Sequence, residues 1–380
     1  MAEKTTLQQM LDEGQSPWID NITRDMLTGG KLARLIELGI VGLTSNPTIF
    51  QKAIGGSSDY DDELQRLVRE NKSLSEIYDN LVLDDIREAA KTLRPVYDRT
   101  GGRDGYVSIE VAPSLAYEEE KTFVEARRLW ELLGLPNIMI KIPGTEPGIK
   151  AFQRAITAGT NVNVTLLFGI DNYRRVAEAY IAGLEARVAQ GQPVDHLASV
   201  ASFFVSRVDT EVDKRLNDLI AAATDEATKN ELKGLQGRAA IANAKLAYAA
   251  YQEIFAGPRW EALAAKGART QRCLWASTST KNPAYRDVLY VEELIGPETV
   301  DTMPQATIDA MLDHGQVVRT LDRDLSGARA DLAAIERHGI SMDEVTAKLQ
   351  KDGVKLFSDS FNELVSTIDA KRQEMMAHAG

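Results

Sequence analysis

The sequence has very little cysteine and histidine. Its single cysteine, Cys273, cannot form a disulfide within the chain, and its four histidines lie far apart: His196, His314, His338 and His378. Zinc sites and related metal centres need several Cys and His ligands at characteristic spacings. The sequence therefore predicts neither a disulfide framework nor a metal centre, and it suits the reducing cytoplasm.

Long apolar runs and familiar leader or cofactor motifs are also missing. A membrane-spanning helix needs about 18 or more consecutive apolar residues, and the chain has no such run. The first residues, MAEKTTLQQMLDEG, are polar and acidic, unlike a signal or transit peptide. The nucleotide motifs GxxxxGK(S/T) and GxGxxG are absent, as are GxSxG and HExxH. We expect a cytoplasmic protein that needs no cofactor.

Basic residues are fewer than acidic ones. The chain has 44 Lys and Arg against 56 Asp and Glu, which gives a formal net charge of −12. Such an excess repels nucleic acid and anionic membranes, so we expect neither as a partner. An anionic substrate such as a sugar phosphate would need a few cations placed within its site. We expect either a monomer or a homodimer.

What is present is a repeated alternation of short apolar runs and amphipathic stretches. A chain of 380 residues can form two or three small domains or one large α/β barrel. We predict strands at about 17–20, 40–45, 106–111, 137–142, 161–168, 199–205, 272–277 and 299–303. We predict helices between them at 30–38, 59–70, 74–99, 117–133, 147–157 and 171–190. Eight such units close a (β/α)8 barrel of the α/β class, with helices outside a parallel sheet.

Two helical additions extend the predicted barrel. Residues 207–271 are too many for one crossover helix, and they contain helical patterns at 209–223, 229–255 and 259–266. We therefore predict a helical insertion between the sixth and seventh strands. From residue 305 to 380 the pattern is helical only, at 305–322, 323–338 and 342–377. Without a low-complexity linker, we expect residues 1–380 to form a single barrel domain with these additions.

Polar residues share one face in several of the predicted strands. Side chains alternate between the two faces of a strand, and the polar ones fall in phase as follows: Thr44 with Asn46, Ser108 with Glu110, and Asn163 with Thr165. Most of them lie near the carboxyl ends of the strands, where barrels of this kind build their active sites. This phase predicts a polar site inside one end of the barrel.

Lys141 is the most informative residue, because it lies in the apolar strand NIMIKIP. Burial disfavours the charged ammonium form of a lysine, and an uncharged amine can form a Schiff base with a carbonyl compound. The alternatives are a lysine that extends to solvent from the strand end or one that pairs with a carboxylate. Lys141 is thus a candidate nucleophile.

Asp20 and Glu110 are the candidate acid/base carboxylates. Asp20 ends the first strand, although it could instead cap the helix that follows Asn21. Glu110 has the inward phase, although an ion pair with Lys141 would also explain it. Both belong to the predicted polar face.

The other candidates suit a phosphorylated polyol. Asn46, Asn163 and Thr165 can bind hydroxyl groups, or they can pair among themselves. Later in the barrel, hydroxyls and cations suit a phosphate, which such barrels often bind near the last strands: Ser202, Arg207, Ser277 and Lys281. Read singly, Arg207 and Lys281 could also be ordinary surface charges, and Phe204, in phase with Ser202, could be core packing.

Six segments resemble the transaldolase family in its longer bacterial and plant-type form. They are SPWIDNI (16–22), LTSNPTIF (43–50), IMIKIPGT (138–145), NVNVTLLF (161–168), SFFVSRVD (202–209), and LWASTSTKNPAY with DTMP (274–285 and 301–304). The resemblance implies a barrel of the class I aldolase type without metal or organic cofactor. It also implies transfer of dihydroxyacetone between sugar phosphates in the pentose phosphate pathway.

By motif position, the resemblance implies a role for each candidate. Lys141 would form the Schiff base, Asp20 would act as acid/base in carbon–carbon cleavage, and Glu110 with Thr165 would hold the catalytic water. Asn46 and Asn163 would bind hydroxyls and the intermediate, Ser202 would line the site, and Arg207 with Ser277 would contact phosphate. One departure is that Ser279 stands where shorter members carry an arginine, so Lys281 is the nearest cation.

Two other functions fit the same pattern less well. An aldolase that releases free dihydroxyacetone would use the same Schiff base. It differs in related proteins by a tyrosine at the position that resembles Phe204. A non-catalytic barrel that only binds sugar phosphates would not need Lys141, Glu110 and Asp20 together. We therefore expect a transferase.

Overall fold

Eight parallel strands form a closed barrel in the computed structural model, which describes residues 4–378. The strands are β1 Gln15–Asp20, β2 Leu43–Thr44, β3 Val107–Glu110, β4 Ile138–Pro143, β5 Val162–Leu167, β6 Ser199–Phe204, β7 Arg272–Ala276 and β8 Thr299–Met303. Each strand pairs with its neighbours in chain order, and β1 pairs with β8 to close the ring. The predicted (β/α)8 barrel is confirmed.

Helices surround the barrel and cover part of one end. They are α1 Thr6–Asp12, α2 Arg24–Thr28, α3 Lys31–Leu38, α4 Pro47–Gly55, α5 Asp61–Arg69, α6 Leu74–Arg99, α7 Glu119–Leu133, α8 Glu146–Thr157, α9 Ile170–Ala189, α10 Ser206–Ala222, α11 Glu226–Gly234, α12 Ala239–Ile254, α13 Pro258–Ala264, α14 Leu289–Glu293, α15 Gln305–His314, α16 Leu325–Arg337 and α17 Met342–His378. A 3₁₀ turn covers Pro113–Leu115. None of the helices within residues 4–378 is long and apolar enough to cross a membrane.

Two predicted helical stretches differ from the observed helices, and one observed helix was not predicted. The stretch 229–255 is two helices, α11 and α12, because Gly237 between them has φ 71°. The stretch 305–322 ends at His314, because Gly315 turns the backbone to an extended conformation. One helix, α4, lies outside the predicted stretches; it forms over Pro47–Gly55 with Asn46 as its N-cap and Pro47 in its first turn.

The strands read as apolar runs because both of their faces are buried. Residues of β4 and β5 are buried at every position, including those that face the helices and those that face the barrel axis. At the amino-terminal end of the strands, Arg272 forms a buried ion pair with Asp104 (3.0 Å) and donates to the Ser16 hydroxyl (2.8 Å). All three side chains are buried at that end of the barrel.

The long helix α17 crosses the carboxyl end of the barrel. Its Gln350 donates to the carbonyl oxygens of Gly144 (2.9 Å) and Leu166 (3.2 Å), which lie just after β4 and within β5. Farther along, the Ser360 hydroxyl is 2.8 Å from that of Thr48 on α4. The helix therefore contacts the carboxyl ends of β4 and β5 as well as α4, which follows β2.

Candidate active site

A cavity of about 510 Å³ opens at the carboxyl end of the strands. Its wall includes polar side chains from six strands: Asp20, Thr44, Lys141, Thr165, Ser202 and Thr302. Loop and helix residues complete it, among them Asn46, Arg207, Ser277 and Lys281. The structure thus brings together most of the residues that the strand phases singled out.

Lys141 lies deep in this cavity and is only 4% exposed. Its Nζ donates to the Ser45 carbonyl oxygen at 2.9 Å and lies 3.7 Å from Glu110 Oε2. The low exposure excludes the alternative that the amine extends to solvent. The second distance exceeds a hydrogen bond, so the pair with Glu110 is a charge contact and does not hold the amine.

Glu110 lies beside Lys141 on the neighbouring strand, outside the cavity wall. Burial raises the pKa of its carboxyl to about 7, although the nearby Lys141 opposes this shift. Among residues 4–378, neither carboxylate oxygen of Glu110 has a hydrogen-bond partner, and the same is true of Thr165 Oγ1. Buried polar groups without partners are uncommon and often mark a water site.

Asp20 contributes a carboxylate at the end of β1. It accepts a hydrogen bond from Thr44 Oγ1 at 2.7 Å, and that hydroxyl is also 2.7 Å from Thr302 Oγ1. Burial raises the pKa of Asp20, and the charge of Lys141 opposes the shift. The alternative role as a helix cap is excluded, because the next helix begins at Arg24 with Thr23 as N-cap.

The two asparagines are placed differently from each other. Asn163 is fully buried outside the cavity wall, where its amide donates to Ser108 Oγ (3.1 Å) and accepts from Ser202 Oγ (2.6 Å). Asn46 lines the cavity, and its Oδ1 accepts from the Ile49 N–H at 3.0 Å. Asn163 therefore supports the site from behind, whereas the amide nitrogen of Asn46 remains for a ligand.

Besides Lys141, three basic side chains line the cavity: Arg207, Lys281 and Lys52. The Arg207 guanidinium lies 5.2 Å from the ring centroid of Phe204, which also lines the cavity, and 6.0 Å from that of Phe357. Burial lowers the pKa of Arg207, with Asp20 opposing the shift. Desolvation and then the charges of Arg207 and Lys52 lower the pKa of Lys281. These cations concentrate positive charge in an acidic protein.

Hydroxyl groups accompany the cations. Ser277 follows β7 in the left-handed region, with φ 55°, and its Oγ is 2.9 Å from Ser206 Oγ in the first turn of α10. Lys281 donates to Ser279 Oγ at 2.8 Å. A positive φ costs a non-glycine residue about 1–3 kcal/mol and is concentrated at functional sites. The arrangement suits an anion such as a phosphate.

Sequence reasoning missed several residues of the cavity, notably Lys52, Leu356 and Phe357. Lys52 could have been found. The Asn-Pro of TSNPTIF is a helix-start signal, and residues four apart on the helix share a face, which places Lys52 with Thr48. Leu356 and Phe357 come from α17, and the sequence holds no local signal that this helix reaches the cavity.

Comparisons with known proteins agree with this geometry. A model of the family described as Transaldolase/Fructose-6-phosphate aldolase matches residues 17–368. The chain is 50% identical over 364 residues to Transaldolase 1 of Streptomyces coelicolor, covering 95% of this chain and 93% of that protein. It is 49% identical over 374 residues to a transaldolase of Thermobifida fusca, covering 98% and 99% of the two chains.

A third relative shows the same likeness. The transaldolase of Trichodesmium erythraeum is 46% identical over 365 residues, which cover 95% of this chain and 96% of that protein. The family model, over residues 17–368, covers β1 from Pro17, the other seven strands and the insertion, so it includes every strand end that lines the cavity. The chain therefore belongs to the transaldolase/fructose-6-phosphate aldolase family.

Proposed function

We propose that this chain is a transaldolase that transfers a dihydroxyacetone unit through a Schiff base on Lys141. The donor is a ketose phosphate, fructose 6-phosphate or sedoheptulose 7-phosphate, and the acceptor is an aldose phosphate, glyceraldehyde 3-phosphate or erythrose 4-phosphate. One observation carries the assignment of the nucleophile: Lys141 is a buried amine that lines a cavity rich in cations. A binding protein would gain nothing from such an amine.

The first step forms the covalent intermediate. The unprotonated Lys141 amine attacks the C2 carbonyl of the ketose, and loss of water from the carbinolamine gives an iminium. We assign the proton transfer of this step to Glu110, acting through a water held with Thr165. The unpartnered oxygens of Glu110 and Thr165 support this water position. A carboxyl whose pKa is about 7 can both donate and accept a proton near neutral pH.

The second step breaks the C3–C4 bond. The iminium accepts the electron pair of that bond, while Asp20 accepts the proton of the C4 hydroxyl, so an aldose phosphate leaves and a three-carbon enamine stays on Lys141. The enamine then attacks the aldehyde carbon of the acceptor, and Asp20 returns the proton to the new hydroxyl. Hydrolysis of the iminium frees the product. The position of Asp20 in the cavity with Lys141 supports this division of roles.

The phosphate is assigned to Arg207, Ser277 and Lys281, and Lys52 is added because it lines the same cavity. Asn46 and Ser202 are assigned to substrate hydroxyls. Phe204 offers no proton to the enamine, which favours transfer over release of free dihydroxyacetone. Each assignment rests on the lining of the cavity and on the positions of the family motifs.

Reduction with borohydride tests the proposal directly. Incubation with fructose 6-phosphate and borohydride should fix one reduced dihydroxyacetone unit on the chain, measured by intact mass, and peptide mapping should place it on Lys141. Lys141→Ala should lose both the adduct and turnover. Lys52→Ala is the matched control, since it removes another amine of the cavity and should keep the adduct. An adduct on a different lysine would refute the assignment.

A further inference from the structure

Two buried aspartates on α10 lie outside the cavity and have no part in the mechanism above. Asp209 closes the SFFVSRVD segment and is 1% exposed, and Asp213 follows one turn later at 8%. Both lie on the helix whose first turn carries Arg207. Carboxylates are rarely buried unless several donors satisfy them, so their partners indicate what they do.

Each aspartate accepts one hydrogen bond from the junction of α11 and α12 and one from the segment that follows β7. Asp209 accepts from the Ala240 N–H (2.8 Å) with one oxygen and from the Tyr290 hydroxyl (2.8 Å) with the other. Asp213 accepts from the Gly237 N–H (3.0 Å) and from the Tyr285 hydroxyl (2.5 Å) in the same way. The backbone donors belong to the junction of α11 and α12, and the tyrosines lie beyond β7.

The contact between the junction and Tyr285 is close. Gly237 has φ 71°, and a Cβ at this position would lie 2.9 Å from Cζ of the Tyr285 ring. Only glycine therefore fits the turn and the ring together. Tyr285 also comes four residues after Lys281, at the end of the LWASTSTKNPAY motif. The aspartates thus connect both sources of the assigned phosphate ligands, the start of α10 and the loop after β7.

We propose that Asp213 and Tyr285 are positioning residues that hold the loop after β7, with Ser277 and Lys281, at a set place relative to Arg207. The helical insertion supplies the fixed point through the N–H of Gly237. This inference rests on the proposed function, because it takes those three residues as phosphate ligands. It assigns a purpose to the insertion, which is to support the phosphate end of the site.

Tyr285→Phe tests the proposal, because it removes only the hydroxyl. The inhibition constant of inorganic phosphate and the KM for fructose 6-phosphate should both rise roughly two- to thirtyfold, the range typical of residues that act through others. The kcat should stay close to that of the unchanged protein. The rate at which borohydride traps dihydroxyacetone on Lys141 should also stay unchanged, since this probe carries no phosphate.

Tyr180→Phe is the matched control. Its buried hydroxyl donates to the Arg269 carbonyl oxygen at 2.8 Å, and Arg269 belongs to the segment just before β7, at the other end of the barrel. This variant should leave both constants unchanged. Asp213→Asn should reproduce the changes of Tyr285→Phe, because it removes the charged acceptor. If either Tyr285→Phe or Asp213→Asn does not fold, the other variant still tests the proposal.

Three results would overturn the inference. They are unchanged phosphate constants in Tyr285→Phe, an equal fall in the trapping of dihydroxyacetone, and the same shift in Tyr180→Phe. The proposed function fails separately, because its failure is the loss of the Lys141 adduct in the unchanged protein. An adduct that forms normally while the phosphate constants do not move rejects the positioning role alone.

Discussion

Replacing Glu110 by glutamine should remove a pH dependence that the structure places near neutrality. An ordinary glutamate, with a pKa of 4.5, would be protonated at pH 7 in only about 1 molecule in 300. Burial raises the pKa of Glu110 to about 7, so half of the molecules carry the proton at that pH. The buried site thus raises the population of the acid form roughly 150-fold at neutral pH.

The direction of the pH dependence follows from the role assigned to Glu110. Glu110 donates a proton while the carbinolamine loses water, so the protonated form is active in imine formation. The rate should therefore be high below pH 7 and fall about tenfold for each unit above it. Glu110→Gln should remove this fall in rate above pH 7. It should also slow imine formation about 10²- to 10⁴-fold, the usual contribution of general acid catalysis. The assay is rapid mixing with dihydroxyacetone followed by borohydride trapping at a series of pH values.

Asp301 provides the matched control on β8, three strands away from Glu110 around the barrel. Its carboxyl is fully buried on β8 but does not line the cavity, it accepts from Thr278 Oγ1 at 2.9 Å, and burial raises its pKa to about 7 as well. Asp301→Asn should still show the fall in the rate of imine formation above pH 7. The assignment of the proton transfer to Glu110 would be refuted by either of two results. The rate could still fall above pH 7 in Glu110→Gln, or it could no longer fall there in Asp301→Asn.

Three further outcomes are expected. Arg207→Ala should raise the KM for phosphorylated sugars roughly 10- to 150-fold, since a charge-assisted hydrogen bond contributes about 1.5–3 kcal/mol; an equal change with dihydroxyacetone would reject its phosphate role. Because the native pKa of Asp301 (about 7) exceeds its ordinary value of 3.8, the free energy of unfolding should fall as pH rises from about 4 to about 7. Asp301→Asn should remove on the order of 4 kcal/mol of this fall, and denaturant titrations that show the same slope in both proteins would contradict it. Phe204→Tyr should raise release of free dihydroxyacetone from fructose 6-phosphate relative to transfer to erythrose 4-phosphate, and an unchanged ratio would count against Phe204.

The sequence predicted the barrel well because its strands carry a simple signal. Strands buried on both faces need apolar residues at most positions, so each appears as a short apolar run between helical stretches. The signals that end the helices are also local in sequence: Gly134 and Gly159 adopt positive φ just after α7 and α8. The break at Gly237 was missed, because its conformation is set by contact with Tyr285, distant in sequence.

The site was predictable where it depends on strand phase. Lys141, Asp20 and Thr165 reach the cavity because alternate residues of a strand share a face. Phase does not say how deep a side chain lies, so it could not separate Asn163, which supports the site, from residues that line it. Nor could it indicate Phe357, because helix α17 reaches the cavity by tertiary packing alone.

The path of α17 has a consequence for the order in which the protein gains activity during synthesis. Leu356 and Phe357 of α17 form one wall of the cavity. Helix α17 also packs on α4, which follows β2 near the start of the barrel. A nascent chain that has completed all eight strands still lacks this wall. The complete cavity, and with it full catalytic competence, should therefore form only after α17 has left the ribosome.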